Sequence, residues 1–182
     1  MPLNVAMVGL KGHQGTILEG ISQLPDVRLA AVCDDDPAAL AGVSGWQCAD
    51  SDTHTYTDWQ QMLANESIDI LGEAGVDSER HRVLIAALQR GIHVLCEVTA
   101  AVSMDEARWL VQACRQSSAT YMMAENYTYM RPNVLVRSMV QAGVFGETYY
   151  AEGEYLHELS SLHHTPDGQP TWRYYWQVGV NG

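Results

Sequence analysis

Lysine is almost missing from this sequence: Lys11 is the only one, and arginine supplies the rest of the ten basic residues that stand against 22 acidic ones. The formal charge of −12 repels polyanions and acidic lipid surfaces, which excludes nucleic acid and membranes as main partners. Long apolar runs are missing as well, and no stretch approaches the ~18 uncharged residues of a membrane-spanning helix. Cysteine is scarce. Cys33, Cys48, Cys96 and Cys114 lack the close pairing that a zinc site or a redox motif needs, so they read as buried thiols of a reducing compartment, and no metal is expected. A charged leader and a small-residue cleavage site are also lacking, because Met1-Pro2-Leu3-Asn4 runs straight into an apolar strand. A cytoplasmic location is the expectation. There is no internal repeat, no low-complexity segment, and no Ser-His-Asp or Cys-His nucleophile motif.

What is present is alternation. With 182 residues, 47% of them hydrophobic and 18% charged, the chain holds one sizeable core and a remainder, at roughly 150 residues per domain. Val5-Ala6-Met7-Val8 is a continuous apolar run closed by glycine, which suits a parallel strand buried on both faces. Ile17, Leu18, Ile21 and Leu24 repeat at helical spacing and stop before Pro25, and Leu29 to Cys33 forms the next strand. Further strands follow near Thr55-Tyr56, at Ile68 to Leu71, at His93 to Cys96 and at Tyr121 to Ala124. Between them lie helices bearing Trp59, Met62 and Leu63, then Val83, Leu84, Ala87 and Leu88, then Leu110, Val111 and Cys114. This order predicts an α/β fold, a Rossmann doubly wound parallel sheet over 1–124. Residues 125–182 read as the start of a second α/β domain, with a helix from about Pro132 to Gln141, the turn Gly143-Val144-Phe145-Gly146 and a long strand from Glu147 to Glu158. One helix and one strand cannot close a core alone. The segment therefore packs on the first domain, packs on another chain, or continues into further residues. The rings of Trp172, Tyr174, Tyr175 and Trp176 either line a sugar site or belong to the interior of such a continuing domain.

Strand one leads into Gly9-Leu10-Lys11-Gly12-His13-Gln14-Gly15, which opens a helix. Glycines there let the backbone turn tightly and approach a pyrophosphate, while the free N–H groups and dipole of the helix start attract the anion. Gly9, Lys11, Gly12, His13, Gln14 and Gly15 are the candidate phosphate-binding residues. The spacing is G-x-x-G-x-x-G, so Lys11 stands in place of the usual middle glycine, where it either crowds the approach or adds a positive charge. Asp34 follows Gly15 by 19 residues at the end of the second strand, the place of an acid that binds the adenosine ribose hydroxyls. Three successive aspartates repel a 2′-phosphate, which favours NAD over NADP. Asp35-Asp36-Pro37 also reads as a solvated turn that starts a helix.

Six stretches in order resemble the glucose-fructose oxidoreductase, inositol dehydrogenase and MocA (Gfo/Idh/MocA) family. They are Val8 to Gly15, Ala31 to Pro37, Tyr56-Thr57-Asp58-Trp59, Gly91 to Glu97, Ala124-Glu125-Asn126-Tyr127, and Gly143 to Glu147. The resemblance implies an NAD-dependent dehydrogenase acting on a sugar, polyol or related hydroxylated substrate. It also implies a C-terminal α/β domain whose sheet builds a homo-oligomer. Members are usually much longer than this chain, so 125–182 is expected to be an incomplete second domain. Two departures stand out. The family pattern Glu-Lys-Pro is replaced by Glu97-Val98-Thr99, which removes the lysine commonly assigned to the substrate hydroxyl, and Leu71-Gly72-Glu73-Ala74-Gly75 replaces a common Ala-Thr-Pro. Glu97-Val98 with Ala100-Ala101, Met122 to Tyr127, and Tyr150 to His157 are similar to one branch, the NAD-dependent α-N-acetylgalactosaminidases. That branch oxidises a sugar carbon transiently, which acidifies the neighbouring C–H so that the glycosidic bond leaves by elimination.

Removal of a hydride from a carbinol needs a group that takes the hydroxyl proton, and Val98 cannot. Alternation along Glu147 to Glu158 puts Tyr155 and His157 on one face, where both can point at a substrate, His157 as candidate proton acceptor and Tyr155 as a hydrogen-bond partner to it; packing at a sheet edge is the alternative. Glu97, at the C-terminal end of a central strand, is assigned to substrate or nicotinamide ribose, and Asn126 and Tyr127 match the family position beside the nicotinamide. His163-His164 reads as a solvated loop, and His81 and His93 as satisfied structural histidines. Hydride transfer with net redox change is the expected function, with glycoside cleavage through transient oxidation as the alternative and a non-catalytic nucleotide-binding module as the second. NADH accumulation, sugar release without it, and binding without turnover distinguish them.

Overall fold

Alternating apolar runs and amphipathic stretches build a six-stranded parallel sheet with helices on both faces. The computed structural model describes residues 2–75 and 80–175. Strands β1 (Leu3–Val8), β2 (Val27–Cys33), β3 (His54–Tyr56), β4 (Ile70–Glu73), β5 (His93–Cys96) and β6 (Tyr121–Met123) lie in the order β3-β2-β1-β4-β5-β6, every neighbouring pair parallel. The helices are α1 (Gln14–Gln23), α2 (Pro37–Leu40), α3 (Trp59–Asn65), α4 (Arg80–Gln89), α5 (Met104–Gln116), α6 (Arg131–Gln141), α7 (Ser160–His163) and α8 (Trp172–Tyr174).

Alternation within β1 divides the core. Val5 and Met7 pack with Ile21, Leu29 and Val32 on the α1 side, and Ala6 packs with Met62, Leu71, Leu84, Leu88 and Leu110 on the side of α3, α4 and α5. Both faces are therefore buried, which accounts for the continuous apolar runs of β1 and β2. The strand order reverses between β1 and β4, and the crevice outside their carboxyl ends is where open sheets of this kind bind ligands.

Local sequence sets the helix boundaries. Asp58 caps α3, its Oδ1 accepting from the amides of Gln60 at 2.7 Å and Gln61 at 3.3 Å. Replacing Asp58 by Ala removes both bonds and is expected to cost about 1 kcal/mol, a fall of roughly 2–4 °C in Tm. Thermal melting followed by circular dichroism checks this, and an unchanged Tm would show that the cap is not needed.

Several expectations are corrected. Strand β4 extends to Glu73 instead of stopping at Leu71, because the carboxylate is neutralised within the fold. Leu24 ends α1 as an exposed cap residue, and Val111 faces outward while Leu110 and Ala113 carry the buried stripe of α5. No strand forms over 147–158. A strand is stable only when its N–H and C=O groups pair with a neighbour, and among the described residues no sheet neighbour joins this stretch. The first compact unit runs from Met1 to Asn133 and the second from Val134 to Gly182; the sequence boundary at Ala124 falls before the short 3-10 turn at Asn126–Tyr129. In the second unit His163 ends α7 and is half-buried, His164 follows it exposed, and the two lie near the ring of Tyr174 at centroid distances of 6.2 and 5.1 Å. The Trp172 side chain and Trp176 lie outside the described residues.

Candidate cofactor site

The glycine loop leaves β1 with Gly9 at φ +80°, a left-handed turn that side chains resist. Its amide donates to Cys33 O at 2.9 Å and the Gly12 amide to Ala74 O at 2.9 Å, so the loop is tied to the ends of β2 and β4. A Cβ on Gly9 would collide with the Gly75 backbone, and one on Gly12 with Ala74 O and the Glu97 carboxylate. Gly15 differs. Nothing lies within 4 Å of the position its Cβ would take.

The start of α1 carries no acidic residue in its first turn and no side-chain cap from His13. Its first amides lack intrahelical partners by helix geometry, the arrangement by which a helix start binds a diphosphate. Together with the two close glycines, this cradle fits a dinucleotide.

Asp34 is 4% exposed at the end of β2. Its Oδ2 accepts from Leu10 N at 2.7 Å and its Oδ1 from Asp36 N at 2.9 Å, so the carboxylate is held by the glycine loop itself. Lys11 Nζ donates to Asp35 Oδ1 at 3.0 Å, and that hydrogen bond holds the Asp35 carboxyl below its ordinary range. The pair is exposed and contributes at most about 1 kcal/mol to stability. Gln14 opens α1, with Oε1 buried and no hydrogen-bond partner among the described residues.

Across the crevice, Glu97 directly follows β5, and its side chain pairs with Nδ1 of His13. The site residues of the loop and of β5 are therefore in contact. The following Val98–Thr99 peptide is cis, at the position of the proline in the family pattern. Glu125, ahead of the 3-10 turn, accepts from the Tyr127 amide at 3.1 Å, and Asn133 Nδ2 donates to Tyr127 O at 2.6 Å, which sets the turn carrying Asn126 and Tyr127. Tyr155 and His157 belong to the second unit. Their hydroxyl and Nδ1 lie 3.2 Å apart, so the two side chains meet although the strand expected to align them is absent.

The pair that sequence reasoning missed is Glu73 and Arg80, both buried, with Nη2 to Oε2 at 2.5 Å. The available signal was a charge at the end of an apolar strand. Burial pushes the Glu73 carboxyl up, and the charge and hydrogen bonds of Arg80 oppose this without cancelling it. Burial also pushes the Cys33 and Cys96 thiols up to about 12, which leaves them inert as nucleophiles. His93 Nδ1 accepts from Thr120 N at 3.0 Å, as a structural histidine does, whereas His81 Nδ1 is buried and lies 3.9 Å from Glu106 Oε1 without a hydrogen bond. Among the described residues no group of three or more His, Cys, Asp or Glu is placed to hold a metal ion, and no helix is long and apolar enough to cross a membrane.

A parallel sheet with this strand order, a glycine turn at its switch point and an acid closing β2 defines a dinucleotide-binding domain. The family model of the Gfo/Idh/MocA proteins, described as an oxidoreductase family with an NAD-binding Rossmann fold, matches residues 3–125. The chain belongs to this family, and NAD is the cofactor that its fold binds. It is 30% identical over 185 residues to a glycosyl hydrolase family 109 protein of Shewanella woodyi, covering 96% of this chain and 38% of that protein. A dehydrogenase from Chromobacterium violaceum superimposes with a TM-score of 0.73 at 25% identity, over 80% of this chain and 42% of that one. The scyllo-inositol dehydrogenase of Lactobacillus casei, solved with NAD(H) and scyllo-inositol, shares the fold with a TM-score of 0.72 at 18% identity, over 81% of this chain and 43% of its own. The chain thus spans about two fifths of the length of the relatives it matches.

Proposed function

We propose that this chain carries the NAD site and part of the substrate site of an enzyme that cleaves a glycoside through transient oxidation of the sugar. The observation that carries the reading is the Tyr155–His157 pair, hydroxyl to Nδ1 at 3.2 Å, in a chain with Val98 where the dehydrogenase pattern has its lysine. The Shewanella woodyi relative, a glycosyl hydrolase family 109 protein, supports it. Net oxidation of a sugar or polyol is the second reading, supported by the Chromobacterium violaceum dehydrogenase.

In this proposal Gly9, Lys11, Gly12, His13, Gln14 and Gly15 surround the diphosphate, Asp34 takes the adenosine ribose, and Glu97 and Asn126 lie beside the nicotinamide. NAD, when bound, supplies a hydride acceptor that later returns the hydride. His157 accepts the proton of the substrate hydroxyl. In the tautomer whose Nδ1–H donates to the Tyr155 oxygen, Nε2 keeps the lone pair that does this. Tyr127 contributes a polar contact to the substrate. Assembly as a homo-oligomer through the second domain, in the cytoplasm, belongs to the same proposal.

The test is a titration with NADH and NADPH followed by tryptophan fluorescence, then incubation with an aryl α-N-acetylgalactosaminide. NADH is expected to bind at least about tenfold more tightly than NADPH, and the phenol to be released without net NADH. His157→Ala should lower that release by about 100-fold or more and leave NADH affinity unchanged. NADH accumulation with a polyol would move the second reading ahead, and binding without any turnover would leave the nucleotide-binding module.

A further inference from the structure

Strand β4 ends in a carboxylate that is 1% exposed, and α4 begins with a guanidinium that is 5% exposed. A buried ion pair is weak evidence for stability, because apolar side chains of similar volume often serve as well or better. The other bonds of the pair show where it acts. Glu73 Oε1 accepts from Gly75 N at 2.7 Å, and Oε2 accepts from Arg80 Nε at 3.0 Å and Nη2 at 2.5 Å. Arg80 Nη2 also donates to the Glu97 carbonyl oxygen at 3.1 Å. Cys96 Sγ lies between the same groups, 3.3 Å from Glu73 Oε2 and 3.1 Å from Glu97 O. On the other side of the peptide, Glu97 N donates to Glu73 O at 2.8 Å. The Glu97 backbone is therefore held at both its amide and its carbonyl by β4 and α4, and its side chain leaves toward His13 and Gly12.

We propose that Arg80, anchored by Glu73, is a positioning residue for the cofactor site: it fixes the Glu97 carbonyl and so sets the Glu97 carboxylate beside His13, for the nicotinamide ribose that the cofactor reading gives it. The inference deepens the cofactor reading above and rests on it. Only a guanidinium suits this place. Its planar fork puts Nε and Nη2 on one carboxylate oxygen while Nη2 still serves the carbonyl, whereas a lysine offers one nitrogen.

Two variants test this on the 182-residue chain. Glu73→Met with Arg80→Met removes both charges at similar length; Arg80→Lys keeps the charge and loses the fork. The probes are NADH and ADP, which retains the adenosine and two phosphates and lacks the nicotinamide ribose. NADH affinity is expected to fall about tenfold in both variants, while ADP affinity changes less than about twofold. Glu97→Ala should weaken NADH by about tenfold in the original chain and add nothing in the double variant, because the two changes remove one interaction. An additive effect of Glu97→Ala, a parallel loss of ADP, or unchanged NADH affinity in a folded variant overturns the positioning role. If the double variant does not fold, Arg80→Lys decides by the same comparison of NADH with ADP. An original chain that binds neither probe overturns the cofactor reading itself, and the proposal with it.

Discussion

Gly9→Ala is expected to lower Tm by roughly 10 °C and to abolish saturable NADH binding. Two costs combine. Alanine at φ +80° enters the left-handed region, at about 1–2 kcal/mol, and its methyl collides with the Gly75 backbone, an overpacking cost of about 1–3 kcal/mol. Neither side can retreat cheaply: Gly9 N is bound to Cys33 O at 2.9 Å and Ala74 N to Val8 O at 2.8 Å, so relief means opening the junction of β1, β2 and β4. The summed cost converts to several degrees per kcal/mol over a chain of this size. Gly15→Ala is the contrast, because open space surrounds its Cβ position within α1; there alanine should stabilise by about 0.5–1 kcal/mol. Melting curves of the two variants beside the parent chain decide. A Gly9→Ala protein that melts within about 2 °C of the parent would show that the turn tolerates a side chain, and the close approach assigned to this loop would fall.

That difference between two glycines of one motif marks the limit of what the sequence makes legible. The strands and helices of the first unit are readable because burial on two faces leaves continuous apolar runs, and burial on one face leaves a stripe at helical spacing. Membership in the family is readable from six motifs in order and agrees with the match over 3–125. The site is readable as a set of positions, not as a set of bonds. Asp34 stands out as a ribose acid, yet its hold on Leu10 N depends on how β2 lies beside β1. Lys11 reads as a residue that crowds the phosphate approach or adds a charge to it, and its bond to Asp35 depends on tertiary placement. Alternation over Glu147 to Glu158 looks like a strand, but period two records only which residues could share a face; a ladder also needs a neighbour. Glu73 is the opposite case: a charge at the end of an apolar strand reads as its terminator, and only the seven-residue return to Arg80 shows why it does not end there.

Arg80→Met alone should be far more damaging than its removal together with Glu73. The single change leaves a carboxylate that is 1% exposed without its cation, an error that costs about 3–5 kcal/mol in buried pairs, or roughly 10 °C in Tm at this size. The penalty should depend on pH in a defined direction. Burial already holds the Glu73 carboxyl above its ordinary value of 4.5, with Arg80 opposing by charge and hydrogen bonds. Without Arg80 that opposition is gone and the folded-state value rises further. An acid whose folded value exceeds its unfolded one binds more protons when folded, so its contribution is fully present below the unfolded value and is lost as pH rises through the folded one. The Tm gap between Arg80→Met and the parent should therefore be smaller near pH 5 than near pH 8. Adding Glu73→Gln should close most of the gap at the higher pH, because a neutral amide removes the uncompensated charge. Thermal melts at the two pH values measure both effects. A gap that does not change with pH, or that Glu73→Gln fails to narrow, would mean that Glu73 finds water or another partner when Arg80 is lost, and the buried pair would then not be the constraint that holds the end of β4 against the carbonyl of Glu97.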